Sequence, residues 1–154
     1  RDVLDLLAQL EDLVVDRARG ERGGVAPDLL QQLVATDVAA AVRDEVRQQL
    51  MASGIKVLTT THVLSGAERG LSRKFGGTYP VEIMAHTLRM FGQGVKVCVE
   101  ISVMALDAGL IPYGQPVIAV GGTGEGADTA VILTPSHASS ILETRIHEII
   151  CKPY

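Results

Sequence analysis

PVIAVGGTGEGADTAVILTP, residues 116–135, is the stretch on which the fold turns. Two apolar runs, Val117-Ile118-Ala119-Val120 and Ala130-Val131-Ile132-Leu133, flank Gly121, Gly122, Gly124 and Gly126. β-branched runs of this length predict buried strands. The glycines between them permit positive φ and let a ligand approach the backbone closely. A glycine-rich loop at the end of a buried strand often holds phosphate in α/β proteins. Gly122-x-Gly124-x-x-Ala127 has the letters of a dinucleotide fingerprint, but that motif opens a helix and this loop leads into a strand. Two readings stand for residues 121–128. One is a backbone cradle for an anion, with Thr123 adding a hydroxyl. The other is a tight strand-to-strand connection whose glycines serve geometry alone.

Working outward, residues 95–110 carry two periods. Val95, Val97 and Val99 alternate as in a strand, whereas Cys98, Ile101, Met104-Ala105 and Ala108 fit a helix with Gly109 as its stop. The length of the segment favours helix. A strand is expected at residues 55–58, followed by Thr59, Thr60, Thr61 and His62. Ser65-Gly66 can open a helix, with Glu68 completing a capping box. Gly76-Gly77 break the chain, Pro80 suits a first helical position, and a helix follows through Ile83, Met84, Thr87, Leu88 and Phe91, ended by Gly92 and Gly94. A last strand is expected at residues 146–151. Upstream, Val3, Leu6, Leu7, Leu10, Leu13 and Val14 mark an amphipathic helix over residues 2–18, and residues 17–24 (RARGERGG) a polar link. Pro27 can start a short helix through Leu29, Leu30 and Leu33. Thr36 or Asp37 can cap another along Val38, Val42, Val46 and Leu50, with Gly54 following it. Helices alternating with short apolar strands imply an α/β fold with a mostly parallel sheet.

At 154 residues the chain suits one domain with a sizeable core. Aromatics are 3%, so Val, Ile, Leu and Ala must build that core. The formal net charge of -4 argues against nucleic acid or an anionic membrane as the main partner. Any phosphate site must therefore be local, made of backbone N–H groups and a few Arg or Lys side chains. No apolar run approaches the ~20 residues of a membrane span. The opening Arg1-Asp2-Val3 has neither Met nor a signal pattern, which suggests a start inside a longer protein. Cys98 and Cys151 form no metal or disulfide motif, and a reducing, cytoplasmic setting is the simplest expectation.

The residues that can carry chemistry fall into three groups. Thr59, Thr60, Thr61 and His62 stand where an α/β sheet places ligands, or are plain strand residues with a surface His. Ser65, Gly66 and Arg69 can grip a phosphate at a helix N-terminus, in addition to the ordinary cap. Gly121, Gly122, Thr123 and Gly124 form the loop discussed above. Arg73 and Lys74 read as a solvated face. Glu100, inside an apolar run, needs a partner, and Arg69, Arg73 or Arg89 can supply one. His86, His137 and His147 are isolated. No metal site is expected, since His147 and Cys151 alone do not make one.

The runs GIKVLTTTHVLSGAERGLSRKFGG, LRMFGQGVKVCVEISVMALDAGLIP, IAVGGTGEGADTAVILTPSH and EIICKP, in that order within residues 45–153, resemble stand-alone prokaryotic proteins related to the C-terminal α/β domain of pyruvate kinase. The resemblance implies a three-layer α/β/α domain over residues 36–154 and assigns 95–110 to a helix. It implies flavin mononucleotide as a cofactor, and the related pyruvate kinase domain holds a sugar-phosphate effector without catalysing a reaction. The family opens with a strand and a Ser/Thr-rich loop; here residues 1–35 read as a helical segment instead. The expected function is therefore binding of flavin mononucleotide or another phosphorylated metabolite. One alternative is a flavin-dependent oxidoreductase with His62 as proton donor. Another is an oligomerisation module, and a homo-oligomer is expected in either case.

Overall fold

One long apolar helix organises the described residues. A computed structural model describes residues 33–37, 44–122 and 127–154, and the backbone alone of 33–37. The strands are β1 (Leu33–Asp37), β2 (Lys56–Thr60), β3 (Val117–Gly121), β4 (Thr129–Thr134) and β5 (Arg145–Cys151). The α-helices are α1 (Asp44–Ala52), α2 (Gly66–Phe75), α3 (Pro80–Arg89) and α4 (Gln93–Asp107), with a 3₁₀ helix at Ala138–Glu143. The expected helix over 95–110 is α4. Val95, Cys98, Val99, Val103, Met104, Ala105 and Leu106 are buried around most of its circumference. A helix apolar on nearly every side is stable only inside the protein. It lies against β3, β4, α3, the 3₁₀ helix and β1.

Glycine ends two of these helices by the same device. Gly109 has φ 68; its N–H reaches the Leu106 carbonyl at 2.9 Å, and the Leu110 N–H reaches that of Ala105 at 2.9 Å. Gly54 has φ 80, and it and Ile55 donate to Met51 and Leu50 at 3.0 Å each. This is the paired bonding of a Schellman motif, with the accompanying apolar contact available to buried Leu50 and Ile55.

The sheets correct the expected architecture. β3, β4 and β5 form an antiparallel sheet in that order, with Ala119 opposite Val131 and Val131 opposite Ile149. Among the described residues the one parallel pairing is β1 with β2, Leu33 opposite Lys56 and Asp37 opposite Thr60. A mostly parallel three-layer α/β/α sheet is therefore not what this chain builds. The reason lies in connection length. Parallel strands need a crossover of about a dozen residues or more, and residues 122–128 are too few. They close a hairpin instead, in which the Asp128 N–H donates to the Gly121 carbonyl at 3.0 Å.

β1 is a second correction. Leu33 was expected in a helix and Thr36 or Asp37 as a cap, yet LVATD pairs with β2 as a strand. α1 follows β1 in the chain and precedes β2. The leucine-rich stretch 2–18, the link 17–24, the Pro27 start and residues 38–43 lie outside the described residues. Pro80 does begin α3, and Gly76 and Gly77 take φ 77 and 86 before it. α3 ends at Arg89, so Phe91 falls beyond it and Gly94 sits inside α4.

The core lies between α4 and the hairpin: Val95, Cys98, Ala119, Val131 and Leu133, with Ile101, Val117 and Ile149 against them. Two glycines permit this approach. A Cβ on Gly94 would stand 2.1 Å from Thr129 Oγ1, and one on Gly121 would stand 2.9 Å from Val97 Cγ1 and 3.1 Å from the Gly94 carbonyl oxygen.

Burial also sets the chemistry of Cys98. Loss of solvation pushes its thiol from 9.0 up to about 12, and the Sγ lies 3.3 Å from the Ala119 carbonyl oxygen. The folded chain keeps this proton across a window in which the unfolded chain releases it. The contribution is whole below about pH 9 and is lost as pH rises from about 9 to about 12, at most ~1.4 kcal/mol per unit. We expect denaturant midpoints to fall through that window and Cys98→Ala to flatten the slope. Native thiol titration should count exposed Cys151 alone, with Cys98 reacting only on unfolding. No helix among the described residues is long and apolar enough to cross a membrane.

Candidate functional site: a cationic cleft on three helices

Three helices each turn one polar face to a common cleft of about 580 Å³. α2 contributes Arg69, Ser72 and Arg73, α3 contributes Glu82, Ala85, His86 and Arg89, and α4 contributes Gln93 and Lys96. The spacings of three and four place each set on one helical face. The turn before α2 adds His62, Leu64 and Ser65. The volume is that of a small-molecule site, but only Leu64 and Ala85 of the lining are apolar.

Behind two of the lining side chains, His62 and Lys96, lies a buried carboxylate. Glu100 has no exposed surface, and Lys96 is 4% exposed. Glu100 Oε1 accepts the Leu64 N–H at 3.0 Å. Its Oε2 accepts from Lys96 Nζ, one helical turn away, and lies 2.7 Å from His62 Nδ1. The Leu64 N–H and Lys96 donate to this carboxyl, and His62 Nδ1 shares a hydrogen bond with it. Glu100 thereby ties the turn carrying His62 to α4. The arginine partners expected for it from sequence are not the ones it takes.

The rim has its own bonding. Glu82 accepts from Ser72 Oγ at 2.7 Å and from the Tyr79 N–H at 3.2 Å; these bonds hold its carboxyl below the ordinary carboxylate value. Glu68 does not close a capping box with Ser65, whose side chain makes no capping bond. Its Oε2 instead accepts the Val81 N–H at 2.8 Å, capping α3. Arg89 Nε donates to Gln93 Oε1 at 2.7 Å. The guanidinium groups of Arg69 and Arg73 make no hydrogen bond or ion pair among the described residues.

Of the residues singled out in the sequence, His62, Ser65 and Arg69 come together here. Thr59 and Thr60 end β2, and Thr59 Oγ1 accepts from Arg47 on α1. Thr61 lies beside Gly66, whose Cβ would stand 3.8 Å from Thr61 Cγ2; neither they nor Thr59 and Thr60 line the cleft. Gly121 is buried against α4, Gly122 follows it in the hairpin link, and neither lines the cleft. Thr123 and Gly124 lie outside the described residues. For Gly121, close packing of helix on strand is the role the geometry shows. Lys96, Gln93, Arg89 and Glu82 were not anticipated as lining, and Arg73, read as a solvated face, belongs to it. The available signal was Lys96 and Glu100 four apart in a helix otherwise made of apolar residues.

The other histidines fall at different places. His86 lines the cleft. His147 Nε2 lies 2.8 Å from Thr134 Oγ1 across β5 and β4. His137 Nδ1 lies 2.7 Å from Asp107, and its ring stacks on Tyr113 with centroids 5.4 Å apart. Among the described residues no cluster of three or more His, Cys, Asp or Glu is placed to hold a metal ion. No protein-family model matches the sequence.

Proposed function

We propose that this chain binds a phosphorylated small molecule in the cleft of α2, α3 and α4. The observation that carries this is the convergence of Arg69, Arg73, Arg89 and Lys96 on one concave space; Arg69 and Arg73 make no direct hydrogen bond or ion pair among the described residues, although the Arg69 charge does act on the nearby Glu82 carboxyl. Guanidinium groups recognise phosphate by paired, charge-assisted hydrogen bonds. With a formal net charge of -4, this concentration of cations is local and not a feature of the whole surface. Flavin mononucleotide is the ligand the family resemblance implies, and its ring would need a flat apolar wall. The lining supplies Leu64 and Ala85 alone, which favours a small polar ligand such as a sugar phosphate.

Calorimetry and thermal shift on the full chain test this with ribose 5-phosphate, flavin mononucleotide and unphosphorylated ribose. We expect the sugar phosphate to bind and ribose not to. Arg69→Ala should weaken binding about 10-fold, or ~1.4 kcal/mol, and added salt should weaken it further. Equal behaviour of ribose and its phosphate would count against the proposal.

One observation favours self-association as an accompanying property. Leu71, Phe75, Ile83, Met90 and Phe91, on or just beyond α2 and α3, are all exposed, Met90 to 82%. Large exposed apolar side chains in such number mark an interaction surface. Sedimentation at increasing concentration should show a homo-oligomer that Phe75→Glu with Met90→Glu returns to monomer.

A further inference from the structure

The chain has four lysines, and one of them is unlike the rest. Lys56, Lys74 and Lys152 are exposed, as solvated ammonium groups usually are. Lys96 is more than nine-tenths buried and lines the cationic cleft. An ammonium has three N–H donors, and among the described residues Lys96 bonds Glu100 alone, one helical turn away. Arg69, Arg73 and Arg89 already answer a phosphate, and a lysine tied to a buried carboxylate suits further chemistry. The pair has a second state, in which one proton has passed from Nζ to the carboxylate and both groups are neutral. Burial penalises two charges and spares two neutral groups, so this state lies closer to the ion pair here than it would in water. The amine so formed is a nucleophile at the wall of a small-molecule cleft.

We propose that Lys96 forms an imine with the carbonyl carbon of a phosphorylated aldehyde or ketone held in the cleft. This rests on the phosphate-binding function proposed above. Lys96 gives one proton to Glu100, and its Nζ lone pair adds to the carbonyl carbon while the π pair moves onto oxygen. A proton passes from the new C–N nitrogen to that oxygen, which makes a carbinolamine. Glu100 then returns its proton to the hydroxyl, the C–O bond breaks, and water leaves as the nitrogen pair closes the C=N bond. One ammonium and one carbonyl compound have become one iminium and one water, with no oxidant or reductant. The iminium carries the same single positive charge as the ammonium, so the buried Glu100 carboxylate recovers its counter-charge. It also draws electrons from the bonds beside it, which is what a lysine imine does for a carbonyl substrate. Lys96 is the nucleophile, Glu100 moves the proton, and Arg69, Arg73 and Arg89 hold the phosphate.

The test incubates the full wild-type chain with glyceraldehyde 3-phosphate and sodium cyanoborohydride, whose hydride reduces an iminium to a stable amine. Intact mass counts the adducts and peptide mapping places them. Calorimetry with glycerol 3-phosphate, which has no carbonyl, reads phosphate binding separately. We expect one adduct per chain, on buried Lys96 ahead of the exposed Lys56, Lys74 and Lys152. Trapping there should run at least about 10-fold faster than with unphosphorylated glyceraldehyde, and excess glycerol 3-phosphate should block it. Glu100→Gln should slow trapping about 100-fold while glycerol 3-phosphate binding stays within about threefold. The wild-type map decides the matter where that variant melts early. Adducts confined to the exposed lysines, or none at all, with glycerol 3-phosphate bound, would overturn the proposal and leave the phosphate site standing. Equal labelling of Lys96 by glyceraldehyde and its phosphate would also overturn it. Failure to bind glycerol 3-phosphate would instead remove the phosphate-binding reading, and the imine with it.

Discussion

Glu100→Ala is expected to lower stability by about 3–5 kcal/mol, a loss that denaturant unfolding followed by circular dichroism can measure. The side chain has no exposed surface and makes three hydrogen bonds, with the Leu64 N–H, Lys96 and His62. Truncation leaves the Lys96 ammonium at 4% exposure without its counter-charge, and the Leu64 N–H without an acceptor. An unpaired buried charge costs far more than the ion pair itself contributes. Replacing both members as Lys96→Met with Glu100→Met should therefore recover most of the loss, because two apolar chains of similar volume suit a buried position. Full recovery of stability with loss of ligand binding would show that the pair serves the cleft rather than the fold. A Glu100→Ala variant as stable as the wild type would refute the buried placement.

Gly94→Ala is the second large effect, and its sign runs against helix propensity. Alanine is about 1 kcal/mol better than glycine inside a helix, so Gly94 in α4 looks improvable from sequence. A Cβ at this position would lie 2.1 Å from Thr129 Oγ1 and 2.4 Å from Thr129 Cβ. Thr129 is 2% exposed on a β-branched strand side chain, so it cannot rotate clear. We expect net destabilisation of about 1–3 kcal/mol, typical of overpacking in a closed core. Thr129→Gly in the same chain should relieve the overlap, and the double-mutant cycle should show coupling of that order. Additive effects would mean that α4 and the hairpin are not in contact at this point.

These residues also show how far sequence could be read. The runs Val117–Val120 and Ala130–Leu133 gave their strands, and Pro80, Gly54 and Gly109 gave helix ends, because each rests on local backbone chemistry. The expected mostly parallel sheet is the error, although the short link 122–128 already required a hairpin. β1 was missed because LVATD has no periodicity of its own and becomes a strand through pairing with β2. In the site, His62, Ser65 and Arg69 were visible because they adjoin one turn. Arg73, Arg89 and Lys96 were not, since nothing local tells a solvated cation from one facing a cleft built by three helices. The glycine loop attracted attention for phosphate binding, yet Gly121 lies where a Cβ would press on Val97.

Backbone amide NMR of the full chain, titrated with ribose 5-phosphate, tests the central claim most directly. The expected result is shift changes concentrated among the residues that line the cleft, His62, Ser65, Arg69, Ser72, Arg73, Arg89, Gln93 and Lys96 among them. Changes centred on residues 121–129, with the cleft silent, would contradict it and return the anion site to the glycine loop.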